Sequence, residues 1–316
     1  MKLQLQKVRP ALIALGALCV FLAFATPRFY RASNLRDIAL ANVSVLLVAM
    51  GMTLVIVLGQ IDISVGALFA VCSVICGTLA KMGVPMILLP LAAVAVGMIL
   101  GAINGALVSF VKAPSIVVTL ATMVAWREAL RWITNGAWIE GLPNSFQWFG
   151  LGQGTGEVVI ILAMLLAFVA LWWSSGNLSA VRAIYATGSD SEAARLAGIP
   201  TKQIVFWVFA MVGALTGIAA LLNAVRFSDV PANSGVNLEL EAIAAVVVGG
   251  TPITGGSGYL LGTLIGVMLL GSIGPALIFL GSSPAWEKAI QGGIILTAVL
   301  LDAMGSWRER RAVELA

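Results

Sequence analysis

Apolar residues run unbroken along this chain for roughly twenty positions at a time, the length of a helix that crosses the hydrocarbon of a bilayer. Short links carrying Gly, Pro, Asn or charge separate the runs. Strands of a membrane barrel would instead alternate apolar and polar over about ten residues. The pattern therefore predicts helices. A basic start (Lys2, Lys7, Arg9) precedes an apolar run from Ala11 to Ala25. That is also the plan of a secretory signal, and Ala23-Phe24-Ala25 has the form of a cleavage site; the run is read as a retained first helix. The second span covers Ile38–Leu58, and Gly59-Gln60-Ile61-Asp62-Ile63-Ser64-Val65-Gly66 interrupts it with a polar, glycine-flanked stretch. A third span reaches Ala80, a fourth covers Val84–Val111, and a fifth starts at Pro114 and runs to Ile133.

The second half is less regular. Residues Thr134–Gly156 are polar, aromatic and rich in glycine, as in an external loop, and Glu157–Trp173 is the sixth span. Ser174–Gln203 is the longest hydrophilic connection, and a seventh span ends near Val225. Ala242–Gly250 is apolar but too short to cross alone, and Thr251–Gly258 is glycine-rich, so this region reads as a broken or re-entrant helix. Such backbone is tolerable at membrane depth only where protein or water surrounds it. Gly258–Leu280 and Pro284–Leu301 complete an all-α, polytopic membrane protein of about ten transmembrane helices.

Composition agrees and narrows the chemistry. Apolar residues make up 60% of the 316 and charged residues 10%, too few charges to coat a soluble domain of this size. The net charge of +4 could suggest nucleic acid, but in a membrane chain it reflects basic cytoplasmic loops, and no nucleic-acid partner is expected. With the N-terminus in the cytoplasm, more than half of the 18 Lys and Arg fall inside: Lys2, Lys7, Arg9, Lys112, Arg182, Arg195, Lys202, Arg308, Arg310 and Arg311. The C-terminus is then cytoplasmic too. Arg28, Arg31 and Arg36 fall outside, against the rule. Trp132 and Trp138 outside, and Trp172, Trp173 and Trp307 inside, fit aromatic belts.

There is no histidine, and no lysine is followed by Ser or Thr, so the chain has no imidazole base and no phosphate-binding P-loop. Any ATP is handled by another subunit. Cys72 and Cys76 share a helix face, but two thiols make a poor metal site; they read as small buried residues. No metal and no cofactor is expected. Nearly every charge maps to a connection or a span end, which disfavours a proton-driven carrier. Arg127, Glu128 and Arg131, in the outer half of the fifth span, can snorkel and pair. The spans carry neutral polar residues: Asn42, Ser44, Thr53, Asn104, Ser109, Thr119, Thr122 and Asn223. They suit a path for an uncharged polar solute, with Asn42, Thr53, Asn104, Thr119 and Thr122 as candidates, or they serve only as interhelical hydrogen bonds. Gly97, Gly101, Gly105 and Gly258, Gly262, Gly266 repeat a small-residue ladder that lets helices approach closely. Packing alone explains it; a pseudo-repeat would add that Gly59–Gly66 faces Gly249–Gly258.

The inner loop carries the strongest local signal. Ser189-Asp190-Ser191-Glu192 fits a capping box with Ser189 as the cap. Ala193, Leu196 and Ala197 form a small apolar face. Gly198 and Pro200 end the helix. A two-turn helix is too short to be stable alone and needs a partner.

Glu192-Ala193-Ala194-Arg195-Leu196-Ala197-Gly198-Ile199-Pro200 resembles the cytoplasmic loop of ABC-importer permeases of the ribose/monosaccharide class. So do Gly59–Gly66 and Ala244-Ala245-Val246-Val247-Val248-Gly249-Gly250-Thr251 with Gly255-Gly256-Ser257-Gly258. The likeness runs from Asn34 to Asp302, with Gly59-Gln60 where the family more usually has Gly-Gly. Trp138-Ile139-Glu140-Gly141-Leu142-Pro143 looks most like permeases for autoinducer-2 or rhamnose. The resemblance implies a single permease domain, 1–316, in the bacterial inner membrane, without an ATPase site of its own. Its implied partners are two ATPase subunits, a second permease (homo- or heterodimer) and a periplasmic binding protein, alongside membrane lipid. The capped two-turn segment in this basic cytoplasmic loop is then the expected coupling helix to the ATPase, through Ser189, Glu192, Ala193, Leu196 and Gly198. Hinges lining a water-accessible part of the path would be Gly59, Asp62, Ser64, Gly66, Gly249, Gly250, Gly255 and Gly256. The expected cargo is a neutral sugar or sugar-like solute such as autoinducer-2, rhamnose or a pentose. Two readings compete: an integral membrane enzyme acting on lipid-linked sugars, with Asp62 and Glu241 as thin catalytic candidates, and a secondary carrier.

Overall fold

The computed structural model describes residues 2–297 and 300. Among these residues the chain is helical apart from turns and one isolated antiparallel bridge between Ile139 and Val230. The helices are α1 (Lys2–Ala25), α2 (Ala32–Val57), α3 (Val65–Lys81), α4 (Leu89–Ser109), α5 (Ser115–Thr134), α6 (Gln153–Asn177), α7 (Ser179–Ser189), α8 (Ser191–Leu196), α9 (Thr201–Ala224), α10 (Leu238–Val248), α11 (Leu260–Gly271) and α12 (Ile273–Phe279). Helical backbone returns at 286–297. The end of the last expected span, with Trp307, Arg308, Arg310 and Arg311, lies outside the described residues.

Among the described residues six stretches are long and apolar enough to cross a bilayer: 8–25, 32–57, 86–109, 153–177, 201–224 and 260–279. α3 is a shorter apolar helix. α5 has the length to cross, but Arg127, Glu128 and Arg131 crowd its C-terminal half, where Glu128 and Arg131 pair at 3.8 Å on the surface. α2 sits at the centre, with 83% of its most apolar window buried, whereas α1 stays peripheral and packs on α11 through Val8. Trp132, Trp138, Trp172 and Trp173 are exposed, as belt residues should be.

The glycine ladders explain which helices meet. A side chain at Gly97 would strike the carbonyl of Gly213, one at Gly101 that of Phe209, and one at Gly217 that of Ala93. α4 and α9 therefore cross backbone to backbone. The second ladder does the same for α11 on α10: Gly262 lies against the Gly249 carbonyl and Gly266 against that of Ala245. Lipid tails are as apolar as leucine, so such close contact supplies attraction that apolar burial cannot. Both ladders thus serve packing. The region expected to break does so: α10 is a half-length helix, and 249–259 separate it from α11.

The hydrophilic connection 174–203 holds more helix than the two-turn segment read from the sequence: Val181, Ile184 and Thr187 recur every third residue and bury one face of α7. α6 also reaches further than Trp173, to Asn177.

The α4–α9 crossing yields a test. Gly213→Leu should lower stability by at least about 1–3 kcal/mol, the usual cost of overpacking. Gly16→Leu, in open space on α1, should be neutral. Thermal unfolding in detergent reads both, and equal midpoints would contradict the crossing.

Candidate coupling and translocation site

α8 is capped at both ends, though not by the residue the sequence suggests. Asp190 is the N-cap: its Oδ1 accepts from the backbone N–H of Glu192 at 3.0 Å and of Ala193 at 2.9 Å. Ser189 instead ends α7, and its hydroxyl donates to the Gly256 carbonyl at 3.3 Å. Asp190 displaces Ser189 because its backbone is extended (φ −157°, ψ 103°), as a cap requires, whereas Ser189 is still helical. Glu192 does not reach back to the backbone. It takes two hydrogen bonds from Arg195, from Nε at 3.0 Å and Nη2 at 2.6 Å, which hold its carboxyl below the ordinary carboxylate range.

At the far end the Ile199 N–H donates to Ala194 O and the Gly198 N–H to Arg195 O, the paired bonds of a left-handed helix stop. Gly198 has φ +84°, which a β-carbon would strain. Ala194 is buried; Ala193, Leu196 and Ala197 are exposed, and Leu196 keeps 74% of its surface. A six-residue helix with a bare apolar face thus stands at the end of α7.

The two chain breaks meet where α7 ends. The Gly256 N–H donates to the Val57 carbonyl at 2.8 Å, so one break hydrogen-bonds the end of the helix leading into the other. Gly255 (φ +87°) packs against the backbone of Gly59 (φ +69°), and neither conformation suits a side chain. The α7 end wedges against this contact: Gly188 lies so near the Val57 carbonyl that a β-carbon would overlap it. Tyr185 closes the set, its hydroxyl donating to Gly258 O at 2.7 Å.

Of the expected hinge residues, Gly59, Gly250, Gly255 and Gly256 have positive φ. Gly66 and Gly249 do not: Gly66 is in the first turn of α3 and Gly249 caps α10 in helical conformation. Their lack of a side chain serves close packing, Gly66 against the Glu239 carboxylate and Gly249 against Gly262.

The first turn of α3 gathers buried polar groups. Asp62 Oδ1 accepts from the Ser64 N–H at 2.9 Å and the Ser64 hydroxyl at 2.6 Å. Asn104 Nδ2 of α4 donates to that hydroxyl at 2.8 Å. On α5, Ser115 Oγ accepts from the Ile61 N–H at 3.3 Å, and Thr119 Oγ1 lies 3.4 Å from Ile61 O. Asp62, Ser64, Asn104 and Thr119 are fully buried. Three acceptors here have no hydrogen-bond partner among the described residues: Asp62 Oδ2, Asn104 Oδ1 and Glu239 Oε2. Buried acceptors without a partner are rare in native structures, and each requires a physical reason.

The structure therefore brings Asn104 and Thr119 to the break and leaves the other path candidates elsewhere. Thr53 meets Thr263 of α11 at 2.7 Å, Asn42 donates to Ile38 O beside Gly271, and Thr122 bonds within its own helix. Asp62 and Glu241 also find different partners, the latter an ion pair with Lys288 at 2.5 Å, so the carboxylate pair a lipid-linked-sugar enzyme would use is not assembled. Sequence reading missed Tyr185, Gly188 and Glu239. The buried stripe of α7 was a usable signal for the first; nothing local marks the other two.

Comparison with known proteins settles the family. Residues 34–299 match the family described as "Branched-chain amino acid transport system / permease component". The chain belongs to this permease family. Among curated proteins it is 36% identical over 304 residues to the ribose import permease of Bacillus subtilis strain 168, covering 94% of this chain and 93% of that one. It is 34% identical over 296 residues to the ribose import permease of Escherichia coli K12, 92% of each chain. It is 33% identical over 293 residues to the autoinducer 2 import permease of Escherichia coli, 92% of this chain and 85% of that one. No solved structure matches it. The family match begins at Asn34, where the motif resemblance to ribose/monosaccharide ABC-importer permeases also begins. The chain is a multi-pass permease of the inner membrane.

The α8 cap and the α7 wedge give separable expectations. Asp190→Ala should destabilise α8 by about 1 kcal/mol while Asp190→Asn keeps the cap. Amide exchange over 191–197 checks this, and equal protection in both variants would contradict it. Gly188→Val should leave the α8 cap and its exchange unchanged, yet cut uptake at least tenfold by pushing α7 off the Val57 carbonyl.

Proposed function

We propose that this permease is the transmembrane subunit of an ATP-driven importer that moves a neutral sugar or sugar-like solute into the cytoplasm. Autoinducer-2, rhamnose and a pentose are the candidate cargoes. α8, with Ser189, Glu192, Ala193, Leu196 and Gly198, is its coupling helix and seats in a groove of a separate ATPase subunit. The loop 174–203 is then cytoplasmic, as are both termini, and the chain crosses about ten times if α10 and its break count as one crossing. A second permease subunit and a soluble binding protein complete the assembly.

One observation carries the reading. α8 continues directly from the end of α7, which is wedged against Val57 and Gly256, so a push on α8 reaches both chain breaks through contacting backbone. The orphaned acceptors at the head of α3 support an uncharged hydroxylated cargo. Solute hydroxyls can donate to Asp62 Oδ2, Asn104 Oδ1 and Glu239 Oε2, each for about 1–3 kcal/mol net. The relatives' printed substrates, ribose and autoinducer 2, are hydroxylated.

Reconstituted with its ATPase and binding protein, the permease should import solute only with ATP and keep doing so when an uncoupler collapses the proton gradient. Glu192→Lys and Gly198→Val should abolish uptake without affecting membrane insertion. Solute accumulation by this chain alone in a pH gradient would overturn the reading, and normal uptake by both variants would overturn the role of α8.

A further inference from the structure

The turn between α1 and α2 holds positive charge with nothing to balance it. Arg28 and Arg31 are exposed and form no ion pair among the described residues, whereas the third arginine of this stretch, Arg36, is matched by Glu157 at 3.1 Å. Under the orientation proposed above, Arg28 and Arg31 lie on the outer side, where the inside-positive bias disfavours them. α2 starts beside them with Arg31 at its cap position, no side-chain cap and no acidic residue in its first turn. Its first N–H groups and the positive end of its dipole add to the same field.

These groups line a cavity of about 690 Å³. Thr26 lines it as well; only 9% of this residue is exposed, and its hydroxyl makes no cap bond and no hydrogen bond to any described residue. Ile278 and Phe279 form the apolar side. That side is built: Phe279 stacks edge-on against buried Phe29 with ring centres 5.8 Å apart, and Asn34 Nδ2 holds the turn by donating to Phe29 O at 2.7 Å.

We propose that this cavity binds a phosphate-bearing anion, with the headgroup of an anionic phospholipid as the source its setting favours. Arg28 and Arg31 contact the phosphate oxygens, with the Thr26 hydroxyl and the first N–H groups of α2 as further donors. The acyl chain follows the Ile278–Phe279 wall. Arginines that would otherwise oppose the orientation of the chain thus hold α1 and α2 to the lipid.

The full-length chain in nanodiscs tests this. Native mass spectrometry should find phosphatidylglycerol retained in preference to phosphatidylcholine. Arg28→Gln with Arg31→Gln should lower retention at least about tenfold, as expected for losing two charge-assisted contacts. Thr26→Val, a near-isosteric change, should lower it less. Arg182→Gln, remote from this turn in the loop 174–203, should leave it unchanged. Glycerol phosphate is the soluble arm. If it raises the unfolding temperature of the unmodified chain but not of the double variant, while lipid retention is the same in both, the site stands and is filled from solution. Equal retention of the two lipids, or equal retention by all variants, in either case with no response to glycerol phosphate, overturns the proposal.

Discussion

A helix that breaks inside a bilayer leaves N–H and C=O groups that water cannot reach, each costing several kcal/mol if unpaired. Among the described residues this chain breaks after α2 and after α10; local turns pair most of the freed groups, and one hydrogen bond joins the two breaks. Gly256 donates to the Val57 carbonyl that ends α2, and the end of α7 closes the contact through Ser189 and Tyr185. The arrangement of the neighbouring helices is consistent with that contact. The breaks must lie side by side, so α2 and α11 must be neighbours, and Thr53 with Thr263 fixes their register. α10 must lie close on α11, which the second glycine ladder permits.

The same constraint separates two kinds of polar group in the bundle. Thr53, Thr122 and Thr216 spend their hydroxyls on the carbonyl four residues earlier, a bond that hides them from lipid and offers nothing to a solute. At the head of α3 the polar groups are convergent and incompletely used. Asp62 and Asn104 both hold Ser64, and each keeps one oxygen unpartnered. A bundle built only for stability would satisfy or remove such atoms, since an unmade buried hydrogen bond costs more than a made one contributes. Their retention beside a break is what supports the proposed path there.

Fold class and family were legible because both rest on signals that need no tertiary knowledge. Twenty-residue apolar runs define the spans, and the Glu192–Pro200 and Gly249–Gly258 segments carry the resemblance. The α8 helix was legible for the same reason, since caps are local. Its N-cap was misplaced by one residue because Ser189 and Asp190 are both good caps, and only the backbone angle of each decides. The site was much less readable. Nothing in the sequence around Glu239 announces that its carboxylate lies against Gly66, 173 positions earlier in the chain, or that Gly188 will meet Val57. Such pairings depend on how the half-helix α10 and the amphipathic α7 dock. Asn104 and Thr53 looked alike as neutral polar residues in apolar runs, yet one reaches the break and the other a neighbouring helix.

A short lever can move a break only if the joint between them is stiffer than the break itself. α7 meets this condition: it is continuous for eleven residues, buries Val181, Ile184 and Thr187, and near its end has Gly188 pressed on a carbonyl with no side chain to yield between them. Interiors packed at this density shift between discrete arrangements and do not stretch. The break is the softer element, since Gly59, Gly255 and Gly256 hold backbone angles that glycine leaves as readily as it enters them. Under the proposed coupling role of α8, its displacement would be taken up at the glycines next to Val57. Asp62 and Ser64, only a few residues beyond Gly59, would then move with them, and the unpartnered Asp62 oxygen would change its surroundings. An order of stiffness that is rigid at α7 and soft at the glycines would direct that motion toward the polar head of α3.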